Sequence, residues 1–485
     1  MAKAFKNRSP VVTPVSDVAQ VPGSDKQRLF HLVRLVMLGQ GYFRKRMEKC
    51  RSPVFRVNMG VKGVAICDRK AIDAMFDVKV IRKEPAFGRL NYNLILLDNY
   101  VPSIFTNDTP HERQKAFLMK ICQTAQEAQI LPTTQRVVTQ YLERWGKADA
   151  NLKQDWENDV RAMLSDIFTE AFLGVSVNPT LMYNMVKGSW AKPGSKLFKK
   201  ADDAARLLRE FLREALQKST KLQSLLSTAV DAGVTEEQAL ADILFMLNFN
   251  AYGGVSGALI GCLARLTVTD PKYKDAMRHE VISAVDEDGV THESLNKMNR
   301  LHWFVLENLR MCPPVPLFFG RARNDFILHS SRGSFDIKAD ELLVGNVYEI
   351  QRDPNVFVNP EVFMPSRFED GVQRNKLLEY MLPGNGPIKE SPTASNHQCP
   401  GLDITFTVLK TALMYVVTCC DFSLTRIPIW TGKKLRRIGS PDNIVQLLSF
   451  KYSPRRPLVH RNSLQIDDLE EKHNYLENSS TFQKH

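Results

Sequence analysis

Cysteine is scarce in this chain, with eight in 485 residues, and no two of them form a C-x-x-C pair. Such irregular spacing excludes a disulfide scaffold and a zinc ribbon. The opening Met1-Ala-Lys-Ala-Phe-Lys-Asn-Arg-Ser-Pro10 has no apolar stretch of the kind a signal peptide needs, so secretion is not expected. A fixed-period repeat and a long Gly/Ser linker are missing, which argues against a solenoid or a string of domains. P-loop, H-E-x-x-H and dinucleotide fingerprints are absent as well, and Gly254-Val-Ser-Gly-Ala258 fails the nucleophile-elbow pattern at its last position. No long run carries one sign of charge: 65 Lys+Arg against 53 Asp+Glu leave +12, with cations scattered among acids. A nucleic-acid partner is therefore not expected, and the basic run Lys196-Leu-Phe-Lys-Lys200 is thin support for a non-enzymatic adaptor.

What is present is an ordinary globular composition, 44% hydrophobic and 24% charged, able to bury a large core. The aperiodic first 20 residues and the polar stretch from about 456 to 485 read as tails around one body, residues 21–455. Val54–Met59 and Val64–Cys67 read as a hairpin across Gly60-Val-Lys-Gly63, and a second β region follows Pro316, with strands at Phe326–Leu328 and Phe335–Lys338 around the turn at Ser331–Ser334. Helical periodicity covers Asp202–Ser219, Thr235–Leu266, Lys272–Val285 and Met298–Met311, with Thr235-x-x-Gln238 read as a capping box. The expected fold is mainly α with small β-sheets, α+β, in a single large domain. Two stretches have the hydropathy of membrane spans, Ile243–Ala264 and Ile404–Phe422. Asn248, Asn250, Lys410 and several Thr within them favour buried helices, so no transmembrane helix is expected. The location expected is intracellular, cytoplasmic or peripheral to membranes, with peripheral contact at most.

Two features carry chemistry. The apolar helix from Thr235 to Leu266 holds Phe249-Asn250-Ala251-Tyr252-Gly253-Gly254 at its centre. Each mid-helix glycine costs roughly 1 kcal/mol relative to Ala, and a buried amide without a partner about 1–3 kcal/mol, so something should compensate. Either a bulky ligand approaches the backbone there, with Asn250 presenting its amide, or the glycines permit a close helix crossing. The second feature is Cys399, held in Leu382-Pro-Gly-Asn-Gly-Pro387…Asn396-His-Gln-Cys399-Pro-Gly401 just before an apolar helix. A cysteine on a turn-rich loop at a helix N-terminus is expected to have a lowered pKa and to favour the thiolate, which ligates iron or acts as a nucleophile. The remaining cysteines read as buried structural residues.

Glu307-Asn-Leu-Arg310, then a strand pair, then Arg352-Asp-Pro354 and Pro365-Ser-Arg367-Phe368, then a cysteine followed two residues later by glycine, is the layout of the haem-thiolate cytochromes. The sequence resembles that P-450 superfamily from about residue 21 to about 455. The resemblance implies haem b, with Cys399 as the thiolate ligand of its iron, and a structural network of Glu307, Arg310 and Arg367. It further implies that His111 and Lys115, in Asp108-Thr-Pro-His111-Glu-Arg-Gln-Lys115, and His397, two before the ligand, meet the haem propionates; an ordinary surface role for His111 stays open.

The departures point to one branch. Asn250 to Ser256 contains neither an acid nor a Thr, the pair that monooxygenases of the superfamily use to protonate bound dioxygen. Four motifs resemble instead the fatty-acid hydroperoxide-metabolising clan: the loop Asn-Gly-Pro…Glu-Ser-Pro-Thr…Asn-x-Gln-Cys-x-Gly, the F-N-A-Y-G-G centre, Pro313-Pro-Val-Pro-Leu-Phe-Phe-Gly-Arg-Ala-Arg323 and Val54–Met59. That clan holds allene oxide synthases, hydroperoxide lyases, divinyl ether synthases and epoxyalcohol synthases. Membership implies homolytic O–O cleavage of a polyunsaturated fatty-acid hydroperoxide at ferric haem, without dioxygen or a reductase. Asn250 would hydrogen-bond the hydroperoxide and hold it over the iron. The resulting epoxyallylic radical can rebound to an epoxyalcohol, lose an electron and a proton to give an allene oxide, or break to aldehydes. Phe87 lies roughly where allene oxide synthases use an aromatic, and Pro316, Leu317 and Phe318, followed by Phe319, are expected to line the pocket. Cys312 where plant members usually have Glu, Pro400 after the ligand and His397 in place of Lys lean toward a non-plant epoxyalcohol synthase. Allene oxide synthase or hydroperoxide lyase is the alternative, and a reductase-dependent monooxygenase the more distant one.

Overall fold

The computed structural model describes residues 18–85, 94–147, 156–285, 289–434 and 439–454. Phe87 therefore lies outside the described residues, as do the tails apart from residues 18–20.

Among the described residues ten strands form three sheets. β1 (Ala19–Gln20), β7 (Gly333–Ile337) and β6 (Phe326–Ser330) make one; β9 (Cys420–Leu424) and β10 (Leu447–Tyr452) another. The largest has the order β2-β3-β8-β5-β4, built from Val54–Asn58, Lys62–Ile66, Leu342–Asn346, Leu317–Ala322 and Ile81–Arg82. The expected hairpin is β2–β3, paired Val54 to Ile66 through Asn58 to Lys62. The sequence reading missed β8. Its five residues are all buried, so it shows none of the polar alternation that marks a half-exposed strand. It joins β3 in parallel and β5 antiparallel.

Helices make the rest. The two membrane-like stretches are core helices, Glu236–Leu266 and Leu402–Cys419, with 72% and 78% of their most apolar windows buried inside the protein. Leu402–Cys419 packs against helices Ile130–Lys147, Pro271–Ala284 and Asn299–Met311, which is what an apolar, all-round-buried helix requires.

The central helix is not one regular α-helix. It is α-helical over Glu236–Phe245, π-helical over Met246–Val255 and α-helical again over Ser256–Leu266. The π segment coincides with the odd F-N-A-Y-G-G centre, where wider i→i+5 turns expose backbone and splay side chains. The glycine pair is not demanded by a close crossing: a Cβ at Gly253 would meet nothing nearer than the helix's own Asn248 O at 3.7 Å, and one at Gly254 nothing nearer than Pro314 Cβ at 4.0 Å. Gly261 is the glycine that packing does demand, since its Cβ would lie 2.4 Å from Gly439 O. At the helix start only half of the expected capping box forms. Thr235 accepts the Gln238 N–H at 3.3 Å, but the Gln238 amide reaches instead to Val101 O at 3.0 Å and Asp242 Oδ2 at 3.3 Å, where buried acceptors need it more than the exposed N-cap does.

Candidate haem-thiolate site

The loop before the last long helix is built by its turn residues. Asn385 sits at φ +61°, and Gly384 O accepts the Cys399 N–H at 2.8 Å. A Cβ on Gly384 would lie 2.8 Å from Cys399 Cβ, and one on Gly386 3.1 Å from the Gln398 side chain, so both glycines are there because the two arms of the loop touch. Gln398 clamps the arms, donating to Pro387 O at 2.9 Å and Glu390 O at 2.6 Å. Cys399 is packed deep in the fold, yet part of its surface is left uncovered by protein atoms. The expected drop in its pKa is not what the structure gives. Burial pushes the thiol up, outweighing the Gly401 N–H and the Lys115 ammonium that pull it down; the helix N-terminus is real, but desolvation is larger.

The side chains expected near the haem edge converge on this same loop. His111 places Nδ1 2.8 Å from Ser103 O and Nε2 3.0 Å from Asn396 O. Lys115 donates to Asn396 O at 2.8 Å and to Gln398 O, and burial lowers its pKa to about 8. Both brace the loop backbone, and neither is the surface residue left open for His111, which is 2% exposed. His397 lies against His111 in a tilted ring contact, with centroids 3.9 Å apart and the planes at 35°. Burial, with His111, Lys83 and Lys115 nearby, drives its pKa to about 2, so its ring is neutral; its Nδ1 is buried without a partner. Lys83, a lone charge with no motif around it, joins them, buried and with its pKa lowered to about 8 by burial, donating to Phe319 O at 3.0 Å.

The donor set fits an anionic iron porphyrin. Cys399 offers one sulfur, and Lys83, His111, Lys115 and His397 gather on or beside its loop, with no carboxylate ion-paired to either lysine among the described residues. No cluster of three or more His, Cys, Asp or Glu that could hold a bare metal ion is found among those residues.

The support beneath the loop is a buried charge network. Glu307 and Arg310 are fully buried and bidentate, at 2.8 and 2.9 Å. Arg367 Nε lies 3.1 Å from both Glu307 oxygens, and the Met364 N–H donates to the same carboxylate at 2.9 Å. Arg310 also holds Gln351 O at 2.9 Å, and Gln351 accepts the Leu382 N–H at 2.9 Å, so the network ends where the cysteine loop begins.

Asn250 lies apart from this cluster, on the π segment. It is exposed in a helix otherwise mostly buried, and its side chain makes no hydrogen bond among the described residues, whereas Asn248 ties down Met182 O at 2.9 Å. Of the expected pocket residues, Pro316 lines a small cavity and Leu317 is half-buried at the edge of a second core. Phe318 is 2% exposed, inside a core under the sheet, in T-shaped contact with Phe76 at 5.8 Å. Strand alternation puts it on the face opposite Leu317 and Phe319.

A helical body with a cysteine braced ahead of its last long helix defines a haem-thiolate protein, and the comparisons agree. The cytochrome P450 family model matches residues 179–426. Allene oxide synthase of Parthenium argentatum is 30% identical over 422 residues, 77% of this chain and 85% of that protein. The chloroplastic fatty acid hydroperoxide lyase of Solanum lycopersicum is 27% identical over 78% of this chain and 87% of its own length, and a divinyl ether synthase of the same species 26% over 80% and 88%. Among solved structures, retinoic-acid-bound cyanobacterial CYP120A1 superposes with a TM-score of 0.70 at 20% identity, covering 88% of this chain and 99% of that one. The chain belongs to the cytochrome P450 family, which carries haem on a cysteine thiolate, and within it to the clan that metabolises fatty-acid hydroperoxides.

Proposed function

We propose that this chain isomerises polyunsaturated fatty-acid hydroperoxides to epoxyalcohols, with Cys399 as the thiolate ligand of haem b and with neither dioxygen nor a reductase required. The observation that carries the reading is Asn250: an exposed amide, without a hydrogen-bond partner among the described residues, on a π-helical turn whose following residues to Ser256 include no acid and no Thr. Such a site can position a peroxide but has no side chain to deliver protons to dioxygen. The haem, when bound, supplies homolytic cleavage of the weak O–O bond.

The chain's own residues then have separable roles. Asn250 donates a hydrogen bond to the hydroperoxide and fixes its oxygens. Gly253 and Gly254 leave room for the chain of the substrate. Lys115 and His111 hold the cysteine loop by its carbonyls, and Lys83 and His397 add donors toward the propionates. Glu307, Arg310 and Arg367 keep the loop's base fixed. The names of the relatives, all enzymes of hydroperoxide, allene oxide or divinyl ether chemistry, support the reaction class. Cys312, His397 and Pro400 depart from the plant allene oxide synthase pattern, which supports a non-plant member and, through that resemblance, the epoxyalcohol reading.

The test is incubation of purified holoenzyme with 9- and 13-hydroperoxides of linoleate, with no NADPH, and mass-spectrometric identification of products. Epoxyalcohols should dominate; ketols or aldehydes in their place would overturn the product, and no turnover without NADPH would overturn the class. Cys399→Ser should abolish both the Soret band and peroxide breakdown.

A further inference from the structure

Where helix Asn299–Met311 ends, a cavity of about 50 Å³ opens between Gln40, Cys312, Pro316, Tyr348, Trp430 and Asp442. Two of its lining residues carry a buried donor with no acceptor among the described residues: Gln40 Nε2 and Trp430 Nε1. The Gln40 amide, 2% exposed, cannot be turned round. Its Oε1 accepts from Asn346 Nδ2 at 3.0 Å, and Asn346 Oδ1 is already occupied by the Glu349 N–H at 3.0 Å. A flip would set two NH2 groups against each other.

Behind the same wall lies Arg265, 3% exposed. Its guanidinium stacks 4.0 Å from the Trp430 ring centroid and 4.5 Å from that of Phe363. It donates to Asn308 Oδ1 at 3.2 Å and Cys312 Sγ at 3.4 Å. Among the described residues no carboxylate is ion-paired with it. Among the described residues Asp442 is the one acid on the wall, and its oxygens are taken by the Thr431 N–H at 2.7 Å, the Thr431 hydroxyl and the Lys434 N–H at 3.4 Å. A buried cation is costly without a counter-charge. Two orphan donors beside it select a guest that has acceptors, no hydrogens of its own and a negative charge. Water fits the volume but brings hydrogens and no charge.

We infer that this cavity binds a fatty-acid carboxylate, either that of the reacting hydroperoxide or that of a second, unreactive fatty acid. The inference rests on the fatty-acid hydroperoxide reading above. The wall is shared with the proposed reaction site: Pro313 and Pro316 line the cavity, and Pro314 between them is the nearest neighbour a Cβ at Gly254 of the π segment would meet.

Two variants test it. Trp430→Phe keeps a ring over Arg265 and removes only the donor. Cys312→Glu sets a carboxylate against the Arg265 guanidinium and supplies the counter-charge internally. Holoenzyme with a normal Soret band is assayed on linoleate hydroperoxide as the free acid and as its methyl ester. The acid-to-ester ratio of kcat/KM should fall roughly tenfold in each variant, the scale of one hydrogen bond to a charged group. If the occupant is a second fatty acid, that ratio holds and palmitate instead alters methyl-ester turnover in the wild type but in neither variant. A palmitate-induced rise in Tm, present in the wild type and lost in Cys312→Glu, reads the site without turnover, so it separates failure of this inference from failure of the proposed reaction. An unchanged ratio together with no palmitate effect of either kind would overturn the carboxylate site and leave a cavity that holds water only.

Discussion

Replacing Glu307 by Gln changes one oxygen to an amide and removes the anion shared by two buried guanidiniums. The side chains of Glu307 and Arg310 are both 0% exposed and that of Arg367 is 3%, so water cannot take over. The Gln amide would also point N–H groups at N–H groups in at least one of the contacts now made by Arg310 at 2.8 and 2.9 Å or by Arg367 at 3.1 Å. Breaking a buried ion pair in this way costs about 3–5 kcal/mol. Unfolding entropy near Tm is about 2.1 cal/mol/K per residue, which over 485 residues is roughly 1 kcal/mol/K, so the expected fall in Tm is about 3–5 °C. Removing the exposed pair Arg206–Glu210, which has the same 2.9 Å contact but side chains 55% and 50% exposed, should cost under about 0.5 kcal/mol and leave Tm within a degree. The assay is thermal unfolding followed by far-UV circular dichroism, with haem content measured in parallel. Equal shifts for the buried and exposed variants would refute the argument, because burial would then not be what gives the network its strength.

Gly384→Ala places a methyl 2.8 Å from Cys399 Cβ, well inside a normal carbon contact. Overpacking of about 1–3 kcal/mol and a lower haem-to-protein ratio in the absorbance spectrum are expected, and full haem loading at an unchanged Tm would contradict the contact. Asp242, buried and pushed up to about 7 by desolvation, holds its proton in the fold well above the ordinary carboxylate pKa. The native state thus binds more protons than the unfolded chain between about pH 4 and 7, and stability falls as pH rises through that window. Asp242→Asn, neutral throughout, turns an NH2 toward the Ser103 N–H or toward the Gln114 and Gln238 amides that now donate to the carboxylate, so a lower Tm near pH 4 is expected, while the variant should lose the fall in stability between about pH 4 and 7; parallel Tm curves for the two proteins across pH would exclude this. Asn250→Leu should lower kcat on hydroperoxide by roughly 10²-fold while leaving the Soret band in place, measured by loss of diene absorbance. Helix Arg28–Leu38 exposes Leu29, Val36 and Met37 at 75%, 79% and 68%, enough apolar surface for peripheral lipid contact; Val36→Asp with Met37→Asp should reduce vesicle co-sedimentation at least several-fold.

The turn geometry of the cysteine loop is legible in the sequence. Pro, Gly and Asn at 383–387 announce a tight loop, and Gly two residues past Cys399 announces the helix start, because those residue types have few other uses. Glu307 and Arg310 were legible by spacing, although only the fold shows that they are buried rather than solvated. Phe318 shows where pattern reading stops: alternation separates it from Leu317 and Phe319 but does not say which face meets the pocket. β8 escaped because both of its faces are covered, Leu343 by one core and Leu342 and Val344 by another, which leaves no periodic trace. Lys83 and Asp242 escaped because a lone charged residue reads as surface until tertiary packing encloses it.

The widened turn at the middle of the central helix has an evolutionary reach. Neither Gly253 nor Gly254 is pinned by a neighbour, so alanine or serine can enter there with little penalty to folding, while the shape offered to a guest changes at once. Related enzymes that share one scaffold yet release different oxylipins would need a place of this sort, where selection can rewrite the outcome of a reaction and leave the architecture intact.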